Sequence, residues 1–290
     1  MTGEKFPALV ETDWLELRRN DQHIRILDAS YYVPGGVEPA RKQYLDSHIP
    51  GAIFFDINDV AEPSARKEHA FPSAEVFARK VGALGISNES HIVAYDHLGG
   101  TCAAARVWFM FRAFGHNRIS VMNGGRTKWV AEGRAMDSEV AVKHPAKFEI
   151  RGTPLLKSKE VMRSNIETRG FQVLDARGKG RFEGTEPEPR PGLRSGHIPG
   201  SLNLPFLQMI GGETKSWKDT KTIRELFIAA GVDLGRPLTT TCGSGVSACT
   251  LALGAHLIGK SDVAIYDGSW VDWGCDPDVP VTTGPAERIT

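Results

Sequence analysis

Six short runs along the chain are apolar or β-branched at nearly every position: residues 24–29, 92–96, 119–123, 171–176, 238–242 and 263–267. Such runs predict buried strands. Between them apolar residues recur every three or four positions. Ala248, Leu251, Ala252, Ala255 and Ile258 keep one helix face apolar, and Gly259 is placed to stop that helix. A second helix is expected over 105–114. Strand alternating with helix predicts an α/β fold, a mostly parallel sheet flanked by helices.

The pattern occurs twice. Ile26-Leu27-Asp28-Ala29 is echoed by Val173-Leu174-Asp175-Ala176, and His48-Ile49-Pro50-Gly51 by His197-Ile198-Pro199-Gly200. Met122-Asn123-Gly124-Gly125 is matched by Tyr266-Asp267-Gly268-Ser269, and each offset is close to half of the 290 residues. A period this long, present twice, implies two related domains and not a solenoid. The polar, proline-containing stretch from Asp137 to Lys157 predicts the boundary. The expected division is an N-terminal domain over 1–140, a linker over 141–157 and a C-terminal domain over 158–290.

Composition narrows the function. Apolar residues make up 41% and charged residues 24%, with 35 basic side chains against 35 acidic ones, so a nucleic-acid footprint is not expected. The four cysteines, Cys102, Cys242, Cys249 and Cys275, form neither a C-x-x-C pair nor a dense framework, which argues against a zinc ribbon or a disulfide scaffold. No apolar stretch approaches the ~20 residues that cross a bilayer, and the first residues lack a secretory pattern. The expectation is a soluble intracellular protein with no membrane partner, cytoplasmic, with the mitochondrion as the alternative.

Candidate chemistry lies where the strand over 238–242 meets the next helix, at Cys242-Gly243-Ser244-Gly245-Val246-Ser247-Ala248. Small residues let the backbone curl so that successive amides point at one spot beside a helix N-terminus, which favours negative charge on a cysteine sulfur. A thiolate is a nucleophile. The bland alternative is a core cysteine beside a tight turn. The repeat weighs against it, because the matching strand of the first half ends in Asp96 and a longer loop. That is the pattern of a duplicated domain of which only the second copy kept the chemistry.

With these residues in view, the whole chain resembles the tandem rhodanese-domain sulfurtransferases. The Cys242 loop, together with Gly180-Arg181-Phe182-Glu183-Gly184-Thr185-Glu186-Pro187-Glu188-Pro189-Arg190, is similar to the branch that uses 3-mercaptopyruvate. The resemblance implies two rhodanese-like domains, the first non-catalytic. It implies that Cys242 takes sulfur from 3-mercaptopyruvate as a persulfide, releases pyruvate and passes the sulfur to a thiol, cyanide or a thioredoxin-type acceptor. Arg181 and Arg190 are the implied cations for the keto-acid carboxylate, and the amides of Gly243, Gly245, Val246 and Ser247 the implied cradle. Ser244 and His69, the latter supplied by the first domain, are the implied relay. The aligned acid position holds Asn58, flanked by Asp56 and Asp59. No metal or organic cofactor is implied.

Each assignment has a competitor. Arg181 and Arg190 are also readable as a solvated salt-bridge cluster with Glu183, Glu186 and Glu188, and His69 as an exposed loop residue. His48 and His197 precede Ile-Pro-Gly in both halves, so a structural task is expected of them. Asp175 is expected to bond nearby backbone and fix the Cys242 loop. Cys102, Cys249 and Cys275 read as a spare thiol, a core residue and a surface residue. Thiosulfate-using relatives carry basic residues just after the cysteine, where this chain has Gly243, Ser244 and Gly245, so thiosulfate is expected to be a poor donor. A cysteine phosphatase needs an arginine six positions after its nucleophile, and Ala248 stands there. The remaining alternatives are a thiosulfate sulfurtransferase and a non-catalytic rhodanese-like sulfur carrier or regulatory module.

Overall fold

The computed structural model describes residues 6–32, 39–62 and 68–287. They form two compact units: 6–32, 39–62, 71–154 and 210–217 in the first, 68–70, 155–209 and 218–287 in the second. Two short segments thus group away from their neighbours in sequence. His69 counts with the second unit, and residues 210–217 with the first.

In the first unit, β1 (Leu9–Val10), β2 (Ile24–Asp28), β3 (Ile53–Phe54), β4 (His91–Tyr95) and β5 (Ile119–Met122) form a parallel sheet in the order β1-β5-β4-β2-β3. In the second half of the chain come β6 (Gln172–Asp175), β7 (Leu202–Asn203), a hairpin of β8 (Ile210–Gly211) and β9 (Ser216–Trp217), β10 (Leu238–Thr241) and β11 (Val263–Ile265). The second unit's parallel sheet runs β11-β10-β6-β7. That order repeats β5-β4-β2-β3, so the sequence repeat is a repeat of topology. Even the edge agrees: where β1 pairs with β5, a single parallel bridge joins Leu156 to Ile265.

The central strands β4 and β10 are buried at every residue, which is why they read as continuous apolar or β-branched runs. The helix after β10, Ala248–Leu257, departs from expectation. It is buried from Ala248 to Ala255 and not along one face alone. At Gly254 a Cβ would stand 3.0 Å from Met209 Sδ, so a second element packs closely where the side chain is missing. The helix after β4, Ala103–Ala113, is likewise buried over its first nine residues, Ala103 to Phe111.

The duplicated histidines serve as struts. His48 stacks on Tyr44 and bonds its carbonyl through Nδ1, while His197 stacks on Phe182 with ring centroids 3.8 Å apart and donates from Nδ1 to the Phe182 carbonyl. Each also closes an antiparallel bridge, His48 to Asp137 and His197 to Thr282.

Candidate active site

At the end of β10 the chain turns under several constraints. The Cys242 carbonyl accepts from Trp270 N–H and the Gly243 carbonyl from Val271 N–H, both at 2.9 Å. The Cys242 N–H donates to Ser269 Oγ at 3.3 Å, and the Ser269 hydroxyl donates to the Tyr266 carbonyl at 2.8 Å. Gly245, at φ +88°, turns its N–H onto Cys242 Sγ at 3.1 Å. Residues with a Cβ rarely adopt that backbone. From the helix side the Cys249 thiol donates to the Gly245 carbonyl at 3.4 Å, so this core cysteine also braces the turn.

The cradle is therefore built, with one amide on sulfur. Among the described residues, the amides of Gly243, Ser244, Val246 and Ser247 make no bond to another protein group. Cys242 is only 2% exposed, and Ser244 stands beside it at 9%. A sulfur so placed has little water around it, and fixed dipoles act more strongly there than in solution.

Arg181 reaches this loop from the short helix Lys179–Glu183. Its Nη2 lies 3.0 Å from where a Cβ on Gly243 would stand, and its Nε and Nη2 bond the Glu188 carboxylate at 3.2 and 2.6 Å. Glu188 is itself buried and shared, since it also accepts from Arg177 Nη1 at 2.7 Å. Arg177, fully buried, pairs with Asp175 at 2.7 Å, donates to the Gly196 carbonyl and lies 4.2 Å over the Trp270 ring. Burial works against its charge, but the two carboxylates outweigh burial and raise its pKa.

Asp175 bonds nearby backbone as expected, but the expectation that it fixes the Cys242 loop is corrected. Its carboxylate takes the Arg177 amide and guanidinium and makes no bond to the Cys242 loop. The competing reading of a solvated cluster does not hold in that form either, because the carboxylate that holds Arg181 is buried. Arg190 is paired with Glu68 at 3.4 Å, next to His69 in sequence. His69 is 2% exposed at φ 44°, which rules out the exposed-loop reading. Asn58 lies in the first unit on a turn whose N–H bonds Asp56, and Asp59 pairs with Lys80.

Sequence reasoning named Glu188 only as a surface partner of Arg181, and it missed Arg177 and Ser269 altogether. One signal was present: Ser269 stands where the first half has Gly125, and both adopt φ near +50°. A non-glycine residue at such a position invites a question about its side chain.

The description "Rhodanese-like domain" matches residues 11–132 and 158–275, one segment in each half of the chain. The chain belongs to the rhodanese family. It is a sulfurtransferase of that fold with two tandem domains. The 3-mercaptopyruvate sulfurtransferase of Homo sapiens is 45% identical over 92% of this chain and 91% of its own length. The thiosulfate sulfurtransferase of Bos taurus is 46% identical over 92% of each. The crystal structure of the 3-mercaptopyruvate sulfotransferase SseA from Escherichia coli superposes with a TM-score of 0.81 at 32% identity, covering 91% of this chain and 98% of that one. Overall identity therefore does not separate the two donors.

In this rhodanese the first unit fills its own cradle. Asp96 follows β4 as Cys242 follows β10, and its carboxylate accepts from the amides of Leu98, Gly100 and Ala104 at 2.8, 2.9 and 3.0 Å. Burial raises its pKa to about 7 in spite of the three amides. Cys102 lies farther along, just before the helix Ala103–Ala113, and does not end the strand.

Proposed function

We propose that this rhodanese takes sulfur from 3-mercaptopyruvate onto Cys242 and passes it to a small thiol, cyanide or a thioredoxin-type protein, releasing pyruvate. In the first step the Cys242 sulfur forms an S–S bond to the donor's sulfur and the donor's C–S bond breaks. The electron pair leaves on carbon as the enolate of pyruvate, which takes up a proton. The second nucleophile then attacks the outer persulfide sulfur and restores the Cys242 thiolate.

The observation that carries this reading is the Gly245 amide on Cys242 Sγ with the Arg181 fork seated on Gly243. A keto acid presents a planar carboxylate, which a guanidinium pairs with through two parallel bonds. Arg190 supplies the second cation. The amides of Gly243, Ser244, Val246 and Ser247 would meet charge that builds on the loop, and Ser244 with His69 would carry the proton.

Thiosulfate is the second reading, favoured by the near-equal identity, 45% and 46%, of relatives with either name. A loop of Gly243, Ser244 and Gly245 offers an inorganic dianion no side-chain charge, which supports the keto acid instead. Domain limits of 1–140, 141–157 and 158–290 belong to the same proposal, as does a cytoplasmic setting with the mitochondrion as the alternative. Among the described residues no helix is long and apolar enough to cross a membrane.

Mass spectrometry after treatment with 3-mercaptopyruvate tests the proposal. One added sulfur on Cys242 with equimolar pyruvate is expected, and Cys242→Ser should abolish both. Sulfur loading from thiosulfate in preference to mercaptopyruvate would overturn the donor, and no loading from either would leave a non-catalytic module.

A further inference from the structure

A cavity of about 550 Å³ opens in the second unit at the other end of the strands from Cys242. Gln172, which begins β6, lines it, whereas Cys242 follows the last residue of β10. Its apolar wall includes Met162, Phe171, Ile198 and Leu202, and two cations, Arg169 and Arg236, share it with one carboxylate, Asp233. Neither arginine is in an ion pair among the described residues.

The walls are pinned. Asn165 bonds both the N–H and the carbonyl of Phe171, and Gln172 does the same for Asp233. Arg236 donates to the Arg169 carbonyl at 2.7 Å. Arg169 occupies the position that ends the helix Lys159–Thr168, at φ 49° and ψ 29°, where glycine is the usual residue. Its guanidinium lies across Gly200, so that a Cβ there would fall 1.4 Å from Nη1. Arg169 thus holds a backbone conformation that glycine would take more easily, with its guanidinium seated on a residue that has no side chain.

We propose that this cavity binds a small monocarboxylate with an aliphatic or aromatic body, its carboxylate on Arg169 and Arg236 and its body against Ile166, Phe171 and Leu202. The volume suits a ligand of roughly ten to twenty heavy atoms, and the lining, about equally polar and apolar, suits one with a charged end and an apolar body. The excess of positive charge sets the sign of the ligand. The site is separate from the sulfur chemistry and does not depend on it.

Calorimetric titration of the full chain with 4-phenylbutyrate, and with the neutral 4-phenylbutanol, tests it. Saturable binding of the carboxylate with one site per chain is expected, at least about tenfold weaker for the alcohol and for Arg169→Gly. Glycine accepts the local backbone without cost, so Arg169→Gly should keep or raise the melting temperature, and lost binding cannot be blamed on unfolding. Arg236→Ala should weaken binding in the same direction, while Cys242→Ser should bind as the wild type does. No saturable binding, equal affinity in Arg169→Gly, or loss of binding in Cys242→Ser would each overturn the assignment, the last by moving the anion to the sulfur site.

Discussion

Asp96 and Cys242 hold the same position in two copies of one sheet. Each follows the strand residue, Tyr95 or Thr241, that is in register with an aspartate, Asp28 or Asp175. Each offers its carbonyl to a turn amide 2.9 Å away, from Arg126 in the first copy and Trp270 in the second. One copy closes its amide cradle around a carboxylate on its own chain. In the other, among the described residues, the amides of Gly243, Ser244, Val246 and Ser247 bond no protein group.

The filled cradle makes stability depend on pH in a particular direction. Asp96 has its pKa raised to about 7 by burial, so its stabilising contribution is full below the ordinary carboxylate value and is lost as pH rises through 7. His91, His97 and His116 are pushed down to about 4, chiefly by burial, so they contribute above their ordinary value of 6.5 and lose that contribution as pH falls toward 4. The two trends oppose each other. Asp96→Asn should therefore unfold at temperatures that drop more steeply between pH 7 and pH 4 than in the wild type. Parallel melting curves across that range would show that Asp96 is not the buried acid.

Glu188 holds two arginines at once, and its loss should affect both stability and substrate binding. Removing one partner of a buried ion pair costs roughly 3 kcal/mol, and Arg177 cannot leave the core to find water. Glu188→Gln should lower the melting temperature by several degrees. It should also raise KM for 3-mercaptopyruvate, because Arg181 loses the anchor for its Nε and Nη2. Refitting kcat and KM well below the melting temperature separates the two effects. An unchanged KM would detach Arg181 from the substrate.

How far the sequence could be read follows from where each group finds its partners. The strands β2, β4 and β10 announce themselves through their own composition, and Cys242 through the residues immediately after it. Arg177 is anchored by Glu188, Gly196 and Trp270, up to 93 residues away, and no local pattern reports such a cluster. The edge strands β1, β3 and β7 have two residues each, too few for any periodicity. The hairpin of β8 and β9 groups with the first unit through tertiary contacts, including Trp217 N–H to Asn123 Oδ1 at 2.8 Å. The short helix carrying Arg181 is masked by a charge-rich segment that reads as loop.

Gly245 tests the cradle itself. At φ +88° a Cβ is strained, and relaxing the backbone turns the N–H away from Cys242 Sγ. Gly245→Ala should cost about 1–2 kcal/mol of stability. Loss of one oriented donor on a reacting anion lowers turnover roughly a hundredfold in comparable sites, so kcat should fall far more than KM rises. Full turnover in a folded Gly245→Ala protein would remove the amide from the chemistry.

Gly243 is where donor choice is most easily shifted. A Cβ added there would stand 3.0 Å from Arg181 Nη2, tighter than ordinary contact, and the arginine's Nε and Nη2 are tied to Glu188. The guanidinium must give way by some tenths of an ångström, which is enough to spoil a two-point carboxylate contact without disturbing the core. Gly243→Ala should therefore raise KM for 3-mercaptopyruvate several-fold while leaving the melting temperature where it was. Gly243→Lys goes further, since it displaces the planar fork and adds a flexible cation suited to a compact dianion. The ratio of thiosulfate to mercaptopyruvate turnover at equal concentrations should rise in Gly243→Lys and stay low in Gly243→Ala. A ratio that moves equally in both would mean that lost space, and not added charge, selects the donor.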